Sequence, residues 1–401
     1  MDGVDKIFDS YAKNGLFENK AVLQANYTPE TIPHRNKQIE SVASILAPTL
    51  KGEKVSNLFV YGKTGTGKTL SVQHVGNRIE KRVKDSGDKK LRFLYLNCKL
   101  KKVADTEYRI IAELINKLGG KIPATGLPTD SVYKKFVEMV DSEKQVIILV
   151  LDEIDQAVEK ISDGFIYSLT RLNSELVNSQ ICLIGISNSV TFMDNLDPRV
   201  RSSLGEEELV FSPYNALQLQ DILRERANQA FKKGAVGDGI IAKCAAYAAR
   251  EHGDARRALD LLRVSGELAE REGGNKILEK HIDAANSKID RDKMVDIIES
   301  EPKQFQLVLK AIINLNDKKE GGGIYTGEVY NEYQNICEKT KSEVLTQRRI
   351  GDILAEFDML GVINAKVISK GRQGRTREIK LMLSPNIREE TDKILADALG
   401  N

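Results

Sequence analysis

The run Gly62-Lys63-Thr64-Gly65-Thr66-Gly67-Lys68-Thr69 constrains this chain more than any other stretch. It follows the apolar Leu58-Phe59-Val60-Tyr61 and precedes a segment apolar at Leu70, Val72, Val75, Ile79 and Val83, a pattern of strand, loop and helix. Gly62, Gly65 and Gly67 allow backbone angles closed to other residues, so successive N–H groups can turn inward around a β-phosphate. Lys68 brings a mobile charge for β- and γ-phosphates, Thr69 a hydroxyl for Mg²⁺, and the helix N-terminus a partial positive charge. Gly62 to Leu70 are therefore the expected nucleotide contacts. A chance Gly-rich turn would not require both this eight-residue spacing and a strand-to-helix context.

The 401 residues exceed what one hydrophobic core usually supports, so two or three domains are expected. With 60 Lys plus Arg against 58 Asp plus Glu, the net charge of +2 says little about partners, and its local distribution must be read instead. Cys98, Cys182, Cys244 and Cys337 are far apart without metal-ligand spacing, which reads as reduced structural thiols. No apolar run reaches the roughly 18 residues needed to span a bilayer, and the N-terminus lacks a signal-peptide core. The expectation is a soluble, cytoplasmic protein with no membrane association.

Residues 1 to 25 carry scattered apolar positions and read as an arm that packs elsewhere. In Tyr27-Thr28-Pro29-Glu30-Thr31-Ile32-Pro33-His34-Arg35 two prolines fix an extended run. This places His34 and Arg35 near the nucleoside end of a nucleotide; a helix-start cap and a surface charge are the alternative. Leu91 to Asn97 reads as a second strand. Val146-Ile147-Ile148-Leu149-Val150-Leu151 is apolar without alternation, the mark of a strand buried on both faces of a parallel sheet. It ends in Asp152-Glu153-Ile154-Asp155. In a phosphate-loop ATPase the first carboxylate holds Mg²⁺ and an adjacent one polarises the attacking water, so Asp152 is assigned to the metal with Thr69, and Glu153 to the water. Asp155 reads as a helix cap. A fourth strand, Ile181 to Ile186, runs into Asn188, placed in the ligand crevice to orient water or touch the γ-phosphate. Arg199 or Arg201 could reach a neighbouring subunit's nucleotide as a finger, although each alone reads equally as a surface charge. A fifth strand follows at Glu208 to Phe211.

From Ser212 to about 290 the pattern is helical. Arg256, in Gly253-Asp254-Ala255-Arg256, stands at a helix start where it could sense a γ-phosphate. Beyond a charged stretch, three helices (Phe305 to Leu315, Gly327 to Lys339, Val344 to Leu360) precede a hairpin, the order of a winged helix-turn-helix. Residues 366 to 380 hold six cations against Glu378 alone, a local charge of +5. Arg372, Arg375 and Arg377 in that wing suit the duplex backbone and minor groove, while Arg348 and Arg349 at the start of the third helix suit the major groove. The boundaries expected are 1–211, 212–298 and 299–401.

Together these residues resemble the archaeal replication initiators, relatives of the large origin-recognition-complex subunit and of its cell-division-control helicase loader. The likeness covers nearly the whole chain: Tyr27 to Arg35, Gly62 to Thr69, Asp152-Glu153, Asn188, Asp197 to Leu204, Tyr214 with Arg226, Gly253 to Arg256, and the winged domain. It implies an α/β AAA+ domain with a parallel sheet flanked by helices, an all-α lid, and a C-terminal winged helix-turn-helix. It also implies ATP/ADP and Mg²⁺ as ligands and slow, switch-like hydrolysis. The implied partners are double-stranded DNA at replication origins, the minichromosome-maintenance helicase, and paralogous initiator subunits. By position, the resemblance makes Tyr214 and Arg226 nucleotide contacts from the lid, and it implies a DNA-touching helical insert between Lys99 and Tyr133. Eukaryotic members tend to carry an arginine where this chain has Ser203. Two other readings use the same parts. A Holliday-junction branch-migration motor would hydrolyse briskly as a closed hexamer, and an ATP-gated transcription regulator would footprint at promoters.

Overall fold

A computed structural model describes residues 15–25, 27–86, 91–99, 106–123, 125–319, 322–369, 375–383 and 385–399. By its internal contacts the chain divides into two compact units, Met1–Ile282 and Asp283–Asn401. Among the described residues no helix is long and apolar enough to cross a membrane. All four cysteines are free and buried.

In the first unit, α1 (Asn36–Leu46) leads to β1 (Leu58–Tyr61), the phosphate-type loop and α2 (Lys68–Ser86). Then come β2 (Leu91–Asn97), α3 (Glu107–Lys117), α4 (Thr129–Val140), β3 (Val146–Asp152), α5 (Ile154–Lys160), α6 (Gly164–Arg171), β4 (Gln180–Ser187), α7 (Pro198–Leu204) and β5 (Glu207–Val210). The strands form one parallel sheet in the order β2-β3-β4-β1-β5. Because strand side chains alternate between faces, β3 feeds two cores. Ile147, Leu149 and Leu151 pack with α3, α4 and α6, whereas Ile148 and Val150 pack with Val42, Leu46, Val72 and Val75 of α1 and α2. Each such aliphatic is worth about 1.5–3 kcal/mol buried rather than exposed, so this strand tolerates no polar interruption. Register pairs Asp152 with Asn97 and with Ile186, and Tyr61 with Ser187. The carboxyl ends of β1, β3 and β4 therefore converge on one edge, where ligands bind in open α/β sheets.

Three helices follow, α8 (Ala216–Ala230), α9 (Asp238–Arg250) and α10 (Ala255–Arg271), and then α11 (Glu279–Ser300), in which the division between units falls. The second unit holds α12 (Lys303–Lys318), β6 (Ile324–Tyr325), α13 (Thr326–Lys339), α14 (Gln347–Met359), β7 (Ile363–Ser369), β8 (Arg375–Leu381) and α15 (Pro385–Leu399). Its sheet is antiparallel, β6-β8-β7. Ile350, Ile353, Leu354 and Phe357 recur at helical spacing and bury one face of α14, and Thr346 caps its start by accepting from the Arg349 N–H. Strand β6 and helix α15 were not anticipated from the sequence.

Candidate functional site

At the sheet's carboxyl edge lies a cleft of about 320 Å³ lined by Gly65 to Leu70, Asp152, Glu153, Asn188, Tyr214, Arg226 and Arg256. Lys68 is only 5 % exposed. Its ammonium donates to Gly62 O at 2.7 Å, Lys63 O at 2.8 Å and Asn188 Oδ1 at 2.9 Å. Burial pulls its pKa down to about 8, against the pull of Asp152. Three oxygens thus aim the charge from both loop and strand end, and a phosphate would exchange for some of them. Gly62, Lys63 and Thr64 stand back from the cleft lining. The first two lend carbonyls to Lys68, Lys63 Nζ lies 3.1 Å from His252 Nδ1, and the Thr64 hydroxyl donates to Asp254.

Asp152, 4 % exposed, is saturated with donors. Its Oδ2 accepts from Thr69 Oγ1 at 2.9 Å and from Tyr95 OH at 2.6 Å, and its Oδ1 from the Glu153 N–H at 3.0 Å. Burial, with Asp152 beside it, raises the Tyr95 pKa, so the phenol stays a donor. No cluster of three or more His, Cys, Asp or Glu that could hold a metal occurs among the described residues. The pair fits Mg²⁺ nonetheless. That ion keeps several waters and needs one or two protein donors beside phosphate oxygens, and a Thr69 hydroxyl whose proton points at Asp152 has lone pairs to give. Glu153 lines the cleft with φ 54° and occupies the N-cap position of α5. Asp155, expected as that cap, lies instead in the first turn, and its Oδ1 is buried without a hydrogen-bond partner among the described residues.

The helical part closes the cleft's other wall. Tyr214 is buried against the guanidinium of Arg35, whose carbon is 3.9 Å from the ring centre. Arg226, 7 % exposed, stacks 4.7 Å from Tyr27, and its buried Nη1 has no hydrogen-bond partner among the described residues. Arg256 stands on the first turn of α10, which Asp254 caps by accepting from the N–H groups of Arg256 at 2.7 Å and Arg257 at 3.3 Å. The same Asp254 presses on the loop. A Cβ at Gly65 would lie 1.7 Å from Asp254 Oδ1, and the Ala255 N–H donates to Gly65 O at 3.2 Å.

His34 and Arg35 directly follow Ile32 and Pro33, which line the cleft. Neither His34 nor Arg35 lines it. His34 pairs with Asp221 at 2.9 Å, and Arg35 donates to Thr66 O at 2.8 Å and Ser212 O at 2.6 Å, tying loop to lid. A buried guanidinium needs several acceptors, and backbone carbonyls supply them here. Tyr27, Thr28, Pro29, Thr31, Ile32 and Pro33 of the same segment do line the cleft. Arg199 and Arg201 are exposed, the first held bidentately by Asp197 at 3.1 and 3.0 Å, the second by Asp194 at 3.3 Å. In the second unit Arg348 and Arg349 are exposed at the start of α14, with Arg349 3.7 Å from Asp352. Arg377, expected in the wing loop, lies in β8 and donates to Gly351 O, so it pins the hairpin to α14. Arg372 lies outside the described residues, as does the side chain of Arg375. Sequence reasoning missed Tyr95 and Asp254. A hydroxyl two residues before the carboxyl end of β2 was the available signal for the first.

The chain is similar to known proteins over nearly its whole length. It is 50% identical over 387 residues to an ORC1-type DNA replication protein of Pyrococcus horikoshii, covering 95% of this chain and 91% of that one. A Methanosarcina mazei relative named ORC1-type DNA replication protein 1 is 47% identical over 399 residues, covering 99% and 94%. This chain belongs to the ORC1-type DNA replication proteins. Three family descriptions divide the ORC1-type chain: AAA domain over residues 53–191, Cdc6 AAA+ ATPase-type lid domain over 220–287, and CDC6 C-terminal winged helix domain over 296–391. The Aeropyrum pernix ORC1 protein, solved in complex with DNA, superposes with a TM-score of 0.85 at 40% identity, covering 95% of this chain and 97% of that one. The ORC1-type assignment accounts for the fold: a parallel AAA+ sheet, a helical lid and a winged helix.

Proposed function

We propose that this ORC1-type chain is an ATP-dependent replication initiator that binds origin duplex DNA and helps recruit or load the minichromosome-maintenance helicase. The ATP or ADP state of the cleft is its switch, hydrolysis is slow, and it acts on the chromosome, beside paralogous initiator subunits. The domains that divide this work are 1–211, 212–298 and 299–401. Lys68 and the loop hold the phosphates, Thr69 and Asp152 hold Mg²⁺, Glu153 polarises water, Asn188 and Arg256 face the γ-phosphate, and Tyr214 and Arg226 contact the nucleotide from the lid. Bound Mg²⁺ supplies charge neutralisation of the phosphates. Arg348 and Arg349 read the duplex, with Arg372 and Arg375 on its backbone and Arg199 or Arg201 as the finger in trans.

The observation that carries this reading is Asp254, whose carboxylate caps the lid helix and touches the phosphate loop at once. Anything that reshapes the loop thereby acts on the lid, as a nucleotide switch requires. The DNA complex of the Aeropyrum relative supports DNA as the partner. The test is equilibrium binding of the full chain to an origin duplex and a random duplex of equal length, with ATP and with ADP. Preference for the origin that differs between nucleotides is expected. Equal affinity for both duplexes in both nucleotides would overturn the initiator reading.

A further inference from the structure

The segment before α1 runs antiparallel to α8 and is joined to it by three side-chain pairs. Tyr27 OH donates to Gln229 Oε1 at 3.4 Å, Thr31 Oγ1 donates to Glu225 Oε1 at 2.8 Å, and His34 Nε2 lies 2.9 Å from Asp221 Oδ2. Asp221, Glu225 and Gln229 are four residues apart and share one helix face, so the pairs form a ladder. Both ends of the segment are anchored more firmly. At its start Lys232 N–H donates to Leu16 O, the amides of Glu18 and Asn19 donate to Ala230 O, and the Phe17 and Phe231 rings stack at 4.5 Å. At its end the buried Arg35 guanidinium holds Thr66 O and Ser212 O. Between these anchors Tyr27, Thr31 and Ile32 line the cleft, while the three ladder bonds are exposed.

We propose that residues 27–34 are a gate for nucleotide exchange, latched shut by this ladder. The inference rests on the reading of the cleft as an ATP/ADP site. Exposed polar pairs are individually weak, so the latch can open while Arg35 at one end and the backbone pairs of Leu16 to Asn19 at the other keep the segment attached to lid and loop. Asp221, Glu225 and Gln229 do not line the cleft, so replacing them removes the latch and no nucleotide contact. A gate has a kinetic signature. It must open for admission and for release, so unlatching accelerates both by one factor and leaves Kd unchanged, whereas a lost ligand contact raises the release rate alone.

The experiment is stopped-flow binding and release of a fluorescent ADP analogue by the full chain and by the triple variant Asp221→Ala, Glu225→Ala, Gln229→Ala. Both rate constants are expected to rise about tenfold, the combined effect of three exposed pairs, with Kd within about twofold of the parent. Should circular dichroism show the triple variant unfolded, His34→Ala and Gln229→Ala separately should each raise both rates about twofold. Unchanged rates overturn the gate. A faster release matched by an equal loss of affinity also overturns it, and makes the ladder a binding contact. A parent chain that binds no ADP analogue overturns the nucleotide reading of the cleft together with the gate, an outcome distinct from the other two.

Discussion

The proposed nucleotide cleft and the α14 face proposed to meet DNA both present cations, and they hold them in opposite ways. In the cleft Lys68 and Asp152 are tied before a ligand arrives. Lys68 is spread over three oxygens and Asp152 over three donors, both at 5 % exposure or less. On α14, Arg348 and Arg349 stand in solvent, the second beside a single aspartate at 3.7 Å. A triphosphate is compact and highly charged, and donors fixed beforehand avoid ordering costs on binding it. A duplex is long and deformable, and mobile cations can follow it at the expense of strong salt dependence. Burial is the physical divider: it makes one site a lock and leaves the other an adaptable surface.

Four measurements test that contrast, beginning with the largest effect. Lys68→Ala should abolish nucleotide binding, while Glu153→Gln should keep binding and lose turnover, since one holds phosphate and the other acts on water. Filter binding and phosphate release would decide, and equal loss of ATP affinity in both variants contradicts the assignment. Arg256→Ala should lower the ATP-to-ADP affinity ratio about tenfold, because only ATP offers the missing acceptor; an unchanged ratio returns Arg256 to an ordinary surface position. On the other unit, Arg349→Ala should cost about 1–3 kcal/mol on the preferred duplex and flatten discrimination against random sequence. A uniform loss on all sequences, read by salt titration, would make it a backbone contact instead. The smallest effect belongs to Tyr95→Phe, which removes one donor from Asp152 and about 0.5–1.5 kcal/mol with it. It should raise the Mg²⁺ concentration needed for half-maximal ATP binding by up to about tenfold while sparing metal-free binding. Loss of binding without metal would mean that Tyr95 supports the loop itself.

How much of this was legible in the chain depended on whether the signal was local. The loop, the uninterrupted β3 and the basic hairpin announce themselves within a dozen residues, because backbone freedom, two-sided burial and charge leave compact marks. The pairs Tyr27–Gln229 and Thr31–Glu225 join residues about two hundred apart, and no periodicity on either side points to the other. The partners of Arg35 were hidden for the same reason: they are the carbonyls of Thr66 and Ser212, and every residue has a carbonyl. Strand β6 is two residues long, too short to show alternation.

Gly65, with φ +67° and the Asp254 carboxylate where a side chain would begin, is held by two requirements at once. A duplicated copy of such a gene could abandon ATP turnover by losing Glu153 and drift freely there. Position 65 would stay frozen for as long as the copy kept its lid seated, so a surviving glycine at that place in a diverged paralogue would testify to an intact lid and not to a working ATPase.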